Sequence, residues 1–350
     1  MKNSVASSGA VPHRFLVTMV PGFEEIVREE IEEKILGSGS FEISRGKVSF
    51  RASCNLDQLL ELKCADNIYY QIAHFRIGPH KVDLKQIPNV LRKIKLIDAI
   101  NYYIGYRPKL KVIVRVSRVG KHTYSRFDAS DAFLTELVKR YSFGVGSSED
   151  HDLSFRVDIV DEVAILSLKL TPAEFRYRTS TKQFSSGAIR PTIAHVLVRL
   201  SNPQKFDSFF DPFCGSGTIA AERAYYDSAR IVTSDINPEV VALASLNVSD
   251  RTEIYCWDAC QTPLDSSSIT TIVSNLPWGK QIVVEDITAL YMKFLLEAKR
   301  ILRNNGKIIA LTDQSNSLIK AAESNEFECT QLMTISLHGL HPSVFVLTKL

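Results

Sequence analysis

The chain has 350 residues, 45% of them hydrophobic and 23% charged, with 42 Lys and Arg against 39 Asp and Glu, a formal net charge of +3. Those values belong to an ordinary soluble globular protein of two or three domains, and they exclude collagen-like, intrinsically disordered and disulfide-scaffold classes. No apolar run reaches the length of a membrane span, and the small polar Met1–Pro12 stretch lacks the apolar centre of a signal peptide, so it is read as a loose tail. Six cysteines without a two-residue metal spacing suit reduced thiols in the cytoplasm. Cys256 and Cys260, the nearest pair, are read as two buried small side chains, and no metal site is expected. Charge is unevenly spread: Arg76 to Arg140 carries 15 Lys and Arg against 5 Asp and Glu, whereas Thr181 to Leu350 carries 15 against 17. A basic middle ahead of a near-neutral second half places polyanion binding and chemistry on different domains.

The first elements read strand Arg14–Val20, helix Phe23–Leu36, a hairpin of Phe41–Ile43 with Lys47–Arg51, helix Leu56–Cys64 and strand Ile68–Arg76. That order, β-α-β-β-α-β, is the ferredoxin-like unit, expected over residues 13–76 after a tail of 1–12. A second α/β unit fills 77–170. It holds a helical Leu84–Tyr103 broken at Pro88, strand Leu110–Ser117, helix Asp128–Tyr141 capped by Asp128 or Ser130, and strands Ser154–Val160 and Val163–Leu170. Its Gly-containing loop carries Arg115, Arg118, Lys121 and Arg126 among hydroxyls and aromatic rings, a mixture suited to phosphate and sugar contacts.

Polar Thr171–Gly187 reads as a linker, and Pro191 opens a helix in which His195 is expected to pack or be partly exposed. From residue 188 to the end, five strands alternate with helices, which requires a parallel sheet covered on both faces. The last two strands, Cys329–Leu337 and Val344–Lys349, are joined by four residues and must pair antiparallel. A doubly wound, Rossmann-like sheet finished by an antiparallel hairpin is the layout of S-adenosylmethionine-dependent methyltransferases.

Two segments carry the chemistry. In Asp211-Pro212-Phe213-Cys214-Gly215-Ser216-Gly217-Thr218, a strand ends in a glycine turn that lets backbone approach a ligand closely, followed by a helix start. Asp211 is placed to accept from an ammonium group, and Asp235, beside Ile236 at the next strand end, to accept from ribose hydroxyls. Asp258, beside Ala259 at the third strand end, faces an adenine amino group. That segment alone leaves a nicotinamide dinucleotide open, because Ala220 is a tolerated substitute for the third glycine of the dinucleotide fingerprint. Asn275-Leu276-Pro277-Trp278 resolves the choice. The Asn275 amide oxygen and the Leu276 carbonyl can each accept from a nucleobase NH₂, Pro277 fixes the turn, and Trp278 offers a face for the extruded base.

With those residues in hand, the chain resembles the THUMP-domain RNA methyltransferases, in particular the branch forming N2-methylguanosine at position 6 of the tRNA acceptor stem. The resemblance covers nearly the whole chain. It rests on Pro21-Gly22-Phe23-Glu24-Glu25, the basic Ser117–Arg126 loop, the Gly187–Thr192 entry segment, Asp211–Thr218 and Asn275–Gly279. It implies that 77–170 is a THUMP domain gripping the 3′ end of tRNA, and that S-adenosylmethionine is the donor. It also adds Arg190 and Thr192 to the donor contacts, and brings a small zinc-binding activator subunit if the protein is eukaryotic, with a monomer expected otherwise. Ile189 stands where the family usually has Leu, and Leu276 where many relatives carry a second Pro. Two competing readings are an adenine-N6 methyltransferase acting on RNA or DNA, and a non-catalytic RNA-binding protein that keeps a methyltransferase fold.

Overall fold

The computed structural model describes residues 12–107, 109–178, 187–279, 286–337 and 339–350. Nearly all of the predicted tail and the centre of the predicted linker lie outside the described residues. The chain forms two compact units, one built from residues up to Thr18 and from Arg28 to Ala173, the other from Met19–Val27 and Glu174–Leu350.

In the first unit the elements are β1 (His13–Thr18), α1 (Glu24–Lys34), β2 (Gly39–Ser44), β3 (Lys47–Ala52), α2 (Leu56–Leu60), β4 (Asn67–Arg76), α3 (Ile87–Arg92), α4 (Leu96–Tyr103), β5 (Lys111–Val119), α5 (Arg126–Tyr141), β6 (Gly144–Val145), β7 (Leu153–Val160) and β8 (Val163–Lys169). One eight-stranded sheet runs β2-β3-β1-β4-β8-β7-β5-β6. Its strands alternate inward apolar residues: Phe15 and Phe50 pack ring to ring at 5.3 Å, Phe133 of α5 lies 6.0 Å from the Phe75 ring, and Phe155 and Leu166 are fully buried.

Local chemistry shifts two predicted boundaries. Pro88 does not break its helix but sits in the first turn of α3, where a missing N–H costs nothing, and the interruption falls at Lys93–Lys95. Helix α5 is capped by Ser125 rather than Asp128 or Ser130. The Ser125 hydroxyl accepts from the Asp128 amide while the Asp128 carboxylate accepts from the Ser125 amide, a capping box that starts the helix two residues early. Ser130 instead donates to the Val114 carbonyl at 2.7 Å. Ahead of the cap, the basic loop is braced against the turn between β7 and β8. Gly120 has φ +109°, and a Cβ there would lie 2.5 Å from Asp161 Oδ1, so only glycine fits. Arg115, Arg118, Lys121 and Arg126 are all exposed around that brace. The Arg126 guanidinium lies 4.8 Å from the centre of the exposed Phe127 ring.

In the second unit come α6 (Pro191–Leu200), β9 (Ser208–Asp211), α7 (Thr218–Arg223), β10 (Arg230–Asp235), α8 (Pro238–Ser245), β11 (Thr252–Cys256), β12 (Ile269–Asn275), α9 (Ile287–Ile301), β13 (Leu302–Thr312), α10 (Ser315–Ser324), β14 (Phe327–Thr334) and β15 (Ser343–Lys349). The seven-stranded sheet is ordered β11-β10-β9-β12-β13-β15-β14. Its first five strands are parallel, and β15 enters antiparallel between β13 and β14. The order reverses at β9, so the carboxyl ends of β9 and β12 lie side by side at a topological switch point, where such sheets bind ligands.

A buried ion-pair network lies in this unit. Glu222 on α7 receives both sides of the Arg178 guanidinium at 3.0 Å and His195 Nδ1 at 2.9 Å. A carboxylate only accepts, which places a proton on His195 Nδ1, and His195 Nε2 lies 3.0 Å from the Tyr226 hydroxyl. Burial would raise the Glu222 carboxyl, but the His195 hydrogen bond and the Arg178 charge outweigh it and hold the group below its ordinary value. His195 is therefore buried rather than partly exposed, and it packs as a hydrogen-bonded link in the fold. Cys256 departs from expectation too, since it is exposed at the end of edge strand β11.

Glu222→Ala leaves Arg178 in a low-dielectric site without its counter-charge. It should cost about 3–5 kcal/mol, read from urea unfolding midpoints, since breaking one side of a buried pair strands the other. A loss below about 1 kcal/mol would show that the network does not hold α7 in place.

Candidate active site

At the carboxyl edge of the second unit's sheet lies a cleft of about 640 Å³, mostly apolar with a few polar groups, within the size range of small-molecule sites. Its walls come from the ends of four strands. After β9 come Pro212, Phe213, Cys214, Gly215, Ser216 and Thr218; after β10, Asp235 and Ile236; after β11, Asp258 and Ala259; and after β12, Asn275, Leu276, Pro277 and Trp278. The two segments singled out in the sequence thus share one cavity although 64 residues separate Asp211 from Asn275.

The glycine turn is held open by its own hydrogen bonds. Cys214 N donates to the Ser234 carbonyl at 2.9 Å and Gly217 N to the Cys214 carbonyl at 2.8 Å. Gly217 precedes α7 with φ +78°, and a Cβ there would lie 2.7 Å from Val248 Cγ1, so the turn packs against the segment after α8 too closely for any side chain. Asp235 braces the same turn, taking the Gly215 amide on Oδ2 and the Asn237 amide on Oδ1, both at 3.1 Å. Asp258 takes the Cys260 amide at 2.8 Å and is exposed at the rim. Each of these carboxylates keeps lone pairs for ligand hydroxyl or amino groups.

Asp211 lies beneath the wall rather than on it. Its Oδ1 accepts from the Ser274 hydroxyl at 2.8 Å and the Phe213 amide at 3.4 Å, while Oδ2 is buried without a partner. Burial, helped by the neighbouring Asp235 charge and opposed by the Ser274 and Phe213 hydrogen bonds, pushes this carboxyl up to about 7.

The turn after β12 is pinned at consecutive residues. Leu276 N donates to the Leu311 carbonyl at 3.0 Å, the Pro277 carbonyl accepts from the Tyr291 hydroxyl at 2.6 Å, and the Trp278 carbonyl accepts from Gln314 Nε2 at 3.1 Å. The Leu276 side chain is buried in the core formed with α9. Asn275 Oδ1, by contrast, is buried without a hydrogen-bond partner, as is Trp278 Nε1. An orphaned amide oxygen costs about 1–3 kcal/mol. Its presence on the wall of a cleft marks a place where a ligand N–H supplies the missing bond.

Not every predicted contact reaches the cleft. Arg190 caps α6 and Thr192 is buried in its first turn, and neither lines the cavity; Gly187, Ala188 and Ile189 line it in their place. Gly217 acts behind the wall, through the turn. Asn237, Val240 and Ile219 follow directly from the loops already identified, but Leu290 of α9 and Leu340 of the terminal hairpin come from distant parts of the chain. Leu340 is placed by the tight Leu337–Leu340 turn, paired through both backbone groups at 2.8–2.9 Å. No local sequence pattern identifies either leucine as a wall residue.

Residues 178–343 match the family model described as RMKL-like, methyltransferase domain. The chain is 28% identical over 262 residues to the tRNA (guanine(6)-N(2))-methyltransferase THUMP3 of Bos taurus, covering 69% of this chain and 51% of that protein. It thus spans about half the length of the curated relatives it first matches. A tRNA (guanine(6)-N2)-methyltransferase of Methanocaldococcus jannaschii is 24% identical over 391 residues, covering 95% of this chain and 99% of its own. The crystal structure of TrmN from Thermus thermophilus superposes with a TM-score of 0.82 at 24% identity, over 97% of this chain and 100% of that one. A solved structure from Listeria monocytogenes, titled a predicted N6-adenine-specific DNA methylase, superposes with a TM-score of 0.72 at 18% identity, over 95% and 96% of the two chains. These likenesses establish an α/β Rossmann-like methyltransferase fold carrying an N-terminal accessory unit. With its glycine turn, strand-end acids and Asn-Leu-Pro-Trp turn arranged around one cleft, the chain is similar over most of its length to tRNA guanine-N2 methyltransferases of the THUMP-domain family.

Proposed function

We propose that the protein transfers a methyl group from S-adenosylmethionine to the exocyclic N2 of a guanine in tRNA, in the acceptor stem at position 6. The observation that carries this reading is the orphaned Asn275 amide oxygen on the wall of the cleft built by the glycine turn. A guanine NH₂ has its lone pair delocalised into the ring. Accepting one N–H on Asn275 Oδ1 and the other on the Leu276 carbonyl draws that nitrogen towards tetrahedral geometry and aims its lone pair along the cleft. Trp278 covers the extruded base. When bound, the donor would supply an electrophilic sulfonium methyl for in-line attack by that nitrogen, with the sulfur–carbon bond breaking and the N2 proton leaving to solvent. Orientation and electrostatics carry such a displacement.

The cleft suits that donor. Its volume accommodates a nucleoside with an amino-acid tail, and Gly215, Ser216, Asp235 and Asp258 on its wall support the reading of close backbone for the tail and carboxylate acceptors for ribose hydroxyls and the adenine amino group. Asp211, beneath the turn, acts on the donor's ammonium group through charge.

For the first unit, we take residues 13–76 as a ferredoxin-like domain and 77–170 as the THUMP domain. The lateral order β2-β3-β1-β4 around α1 and α2 supports the former. The exposed Arg115, Arg118, Lys121 and Arg126 support a contact with the phosphates at the tRNA 3′ end. Six free thiols fit a reducing cytoplasm. A monomer, joined in a eukaryote by a small zinc-binding activator subunit, completes the reading.

Three outcomes test it. Asn275→Ala should lower single-turnover methyl transfer to unmodified tRNA at least 100-fold while leaving the calorimetric donor affinity within about twofold. Methyladenosine as the sole product of the wild-type digest would replace guanine by adenine as the substrate, and no donor binding at all would favour an inert RNA-binding module. Replacing Arg118 and Lys121 together should weaken tRNA binding and reduce the slope of log affinity against log salt by about 1.5–2; an unchanged slope would move the RNA surface elsewhere. Finally, the folded Asp211 carboxyl titrates near 7, above its unfolded value, so the folded state binds the extra proton. Stability of the donor-free protein should be unaffected by this group below about pH 4 and fall as pH rises towards 7. The stability of Asp211→Asn relative to wild type should rise by roughly 3–4 kcal/mol between pH 4 and 8, and a flat difference would mean the carboxyl is solvated.

A further inference from the structure

We propose that Tyr291 is a positioning residue for methyl transfer, setting the Asn275–Trp278 turn through a directed chain of hydrogen bonds that begins at the Gln314 backbone. The inference rests on the methyltransferase reading and adds a residue outside both sequence motifs.

The direction of the chain follows from what each atom can do. The Pro277 carbonyl can only accept, so the Tyr291 hydroxyl, 2.6 Å away, donates its one proton there. The Thr312 hydroxyl, 2.8 Å from the Tyr291 oxygen, must then be the donor to it. The Thr312 oxygen in turn accepts from the Gln314 amide at 2.9 Å. Every proton is assigned, with no alternative arrangement for either hydroxyl. Tyr291 is fully buried, and burial pushes its phenol well above the ordinary value, so the proton that Pro277 receives stays in place across the working pH range.

The chain couples three elements to the catalytic turn. Tyr291 comes from α9, Thr312 from the end of β13, and Gln314 from the cap of α10. Gln314 contributes twice, since its side chain also donates to the Trp278 carbonyl at 3.1 Å. With Leu276 N held by Leu311, three successive residues of the turn are tied to the β13 end and its packing partners. Asn275 immediately precedes them. Its amide must meet a reacting nitrogen within a few tenths of an ångström, and a displacement of about 1 Å in such a group costs on the order of 100-fold in rate. The Tyr291 hydroxyl thereby acts on the reaction through Pro277, without touching donor or base.

The test compares wild type, Tyr291→Phe and Thr312→Val in single-turnover transfer from labelled S-adenosylmethionine to unmodified tRNA. Donor and tRNA dissociation constants and melting curves are measured alongside. Y291F keeps the ring and its packing, and removes the last bond of the chain. Its transfer rate should fall about 10- to 100-fold with both dissociation constants within twofold. T312V leaves the bond to Pro277 in place but removes the group that orients it, so its loss should be smaller, and T312S should restore most of what T312V loses. A Y291F rate within twofold of wild type overturns the proposal. So does a loss matched by weaker donor binding or by the unfolded fraction at the assay temperature. Should Y291F not fold, the contrast between T312V and T312S decides by the same criteria. Wild-type transfer in the same assay tests the methyltransferase reading separately: if wild type methylates tRNA, only the variant ratios bear on Tyr291, and if it does not, both readings fall.

Discussion

A single hydrogen bond, the Ser274 hydroxyl to Asp211 at 2.8 Å, ties the strand that ends in the glycine turn to the strand that ends in Asn275. The two strands are neighbours in a parallel sheet, but backbone pairing between them is recorded only at Thr271–Phe209 and Ile272–Phe210, short of their ends. Beyond that point only side chains register one tip against the other. Asp211 and Ser274 do so from beneath the cleft wall, so the glycine turn and the Asn275 amide are set relative to each other by groups that do not line the cavity. The carboxyl pays for this role with an unpartnered buried oxygen, the kind of local frustration that persists only where surrounding structure fixes it.

The same division of labour extends outward. Asn275 Oδ1 and Trp278 Nε1 are left without partners at the cleft, whereas charges deeper in the second unit have counter-charges. Glu222 is enclosed by Arg178 and His195. Arg223, also fully buried, is spent on the carbonyls of Gln204, Tyr226 and Asp227 and on Asp207. Ion pairs of this kind hold the base of the site, and groups that already have partners cannot swing to relieve the strain at the rim.

Much of this was legible in the sequence because the information is local. Alternation of strands and helices defines the sheet, and an acidic residue at each strand tip lies where the parallel register brings the tips together. Glycine spacing marks the turn because only glycine tolerates the approach of Val248. What escaped is non-local. Tyr291 and Gln314 look like an ordinary buried aromatic and an ordinary helix cap, and only the fold brings them to the turn. Leu340 reaches the cleft through a hairpin that a one-dimensional reading can pair but cannot aim. Arg190 and Thr192, placed by resemblance at the donor, stand at the cap and first turn of α6, while the preceding Gly187–Ile189 forms the wall.

The distribution of charge fits the demands of the chemistry. An in-line displacement at a sulfonium gains nothing from a strongly basic cleft, since transfer removes positive charge from sulfur and passes it to the attacking nitrogen before the proton leaves. The cleft accordingly presents carboxylates and amide groups and no clustered cations among its described lining residues. Phosphate binding needs the reverse, exposed guanidinium and ammonium groups, and these are concentrated in the first unit between Arg76 and Arg140. Placing both on one surface would pull the polyanion's backbone, rather than a single extruded base, towards the methyl group. On the proposed function, separate units let affinity come from phosphates while the choice of atom is left to the Asn275 oxygen.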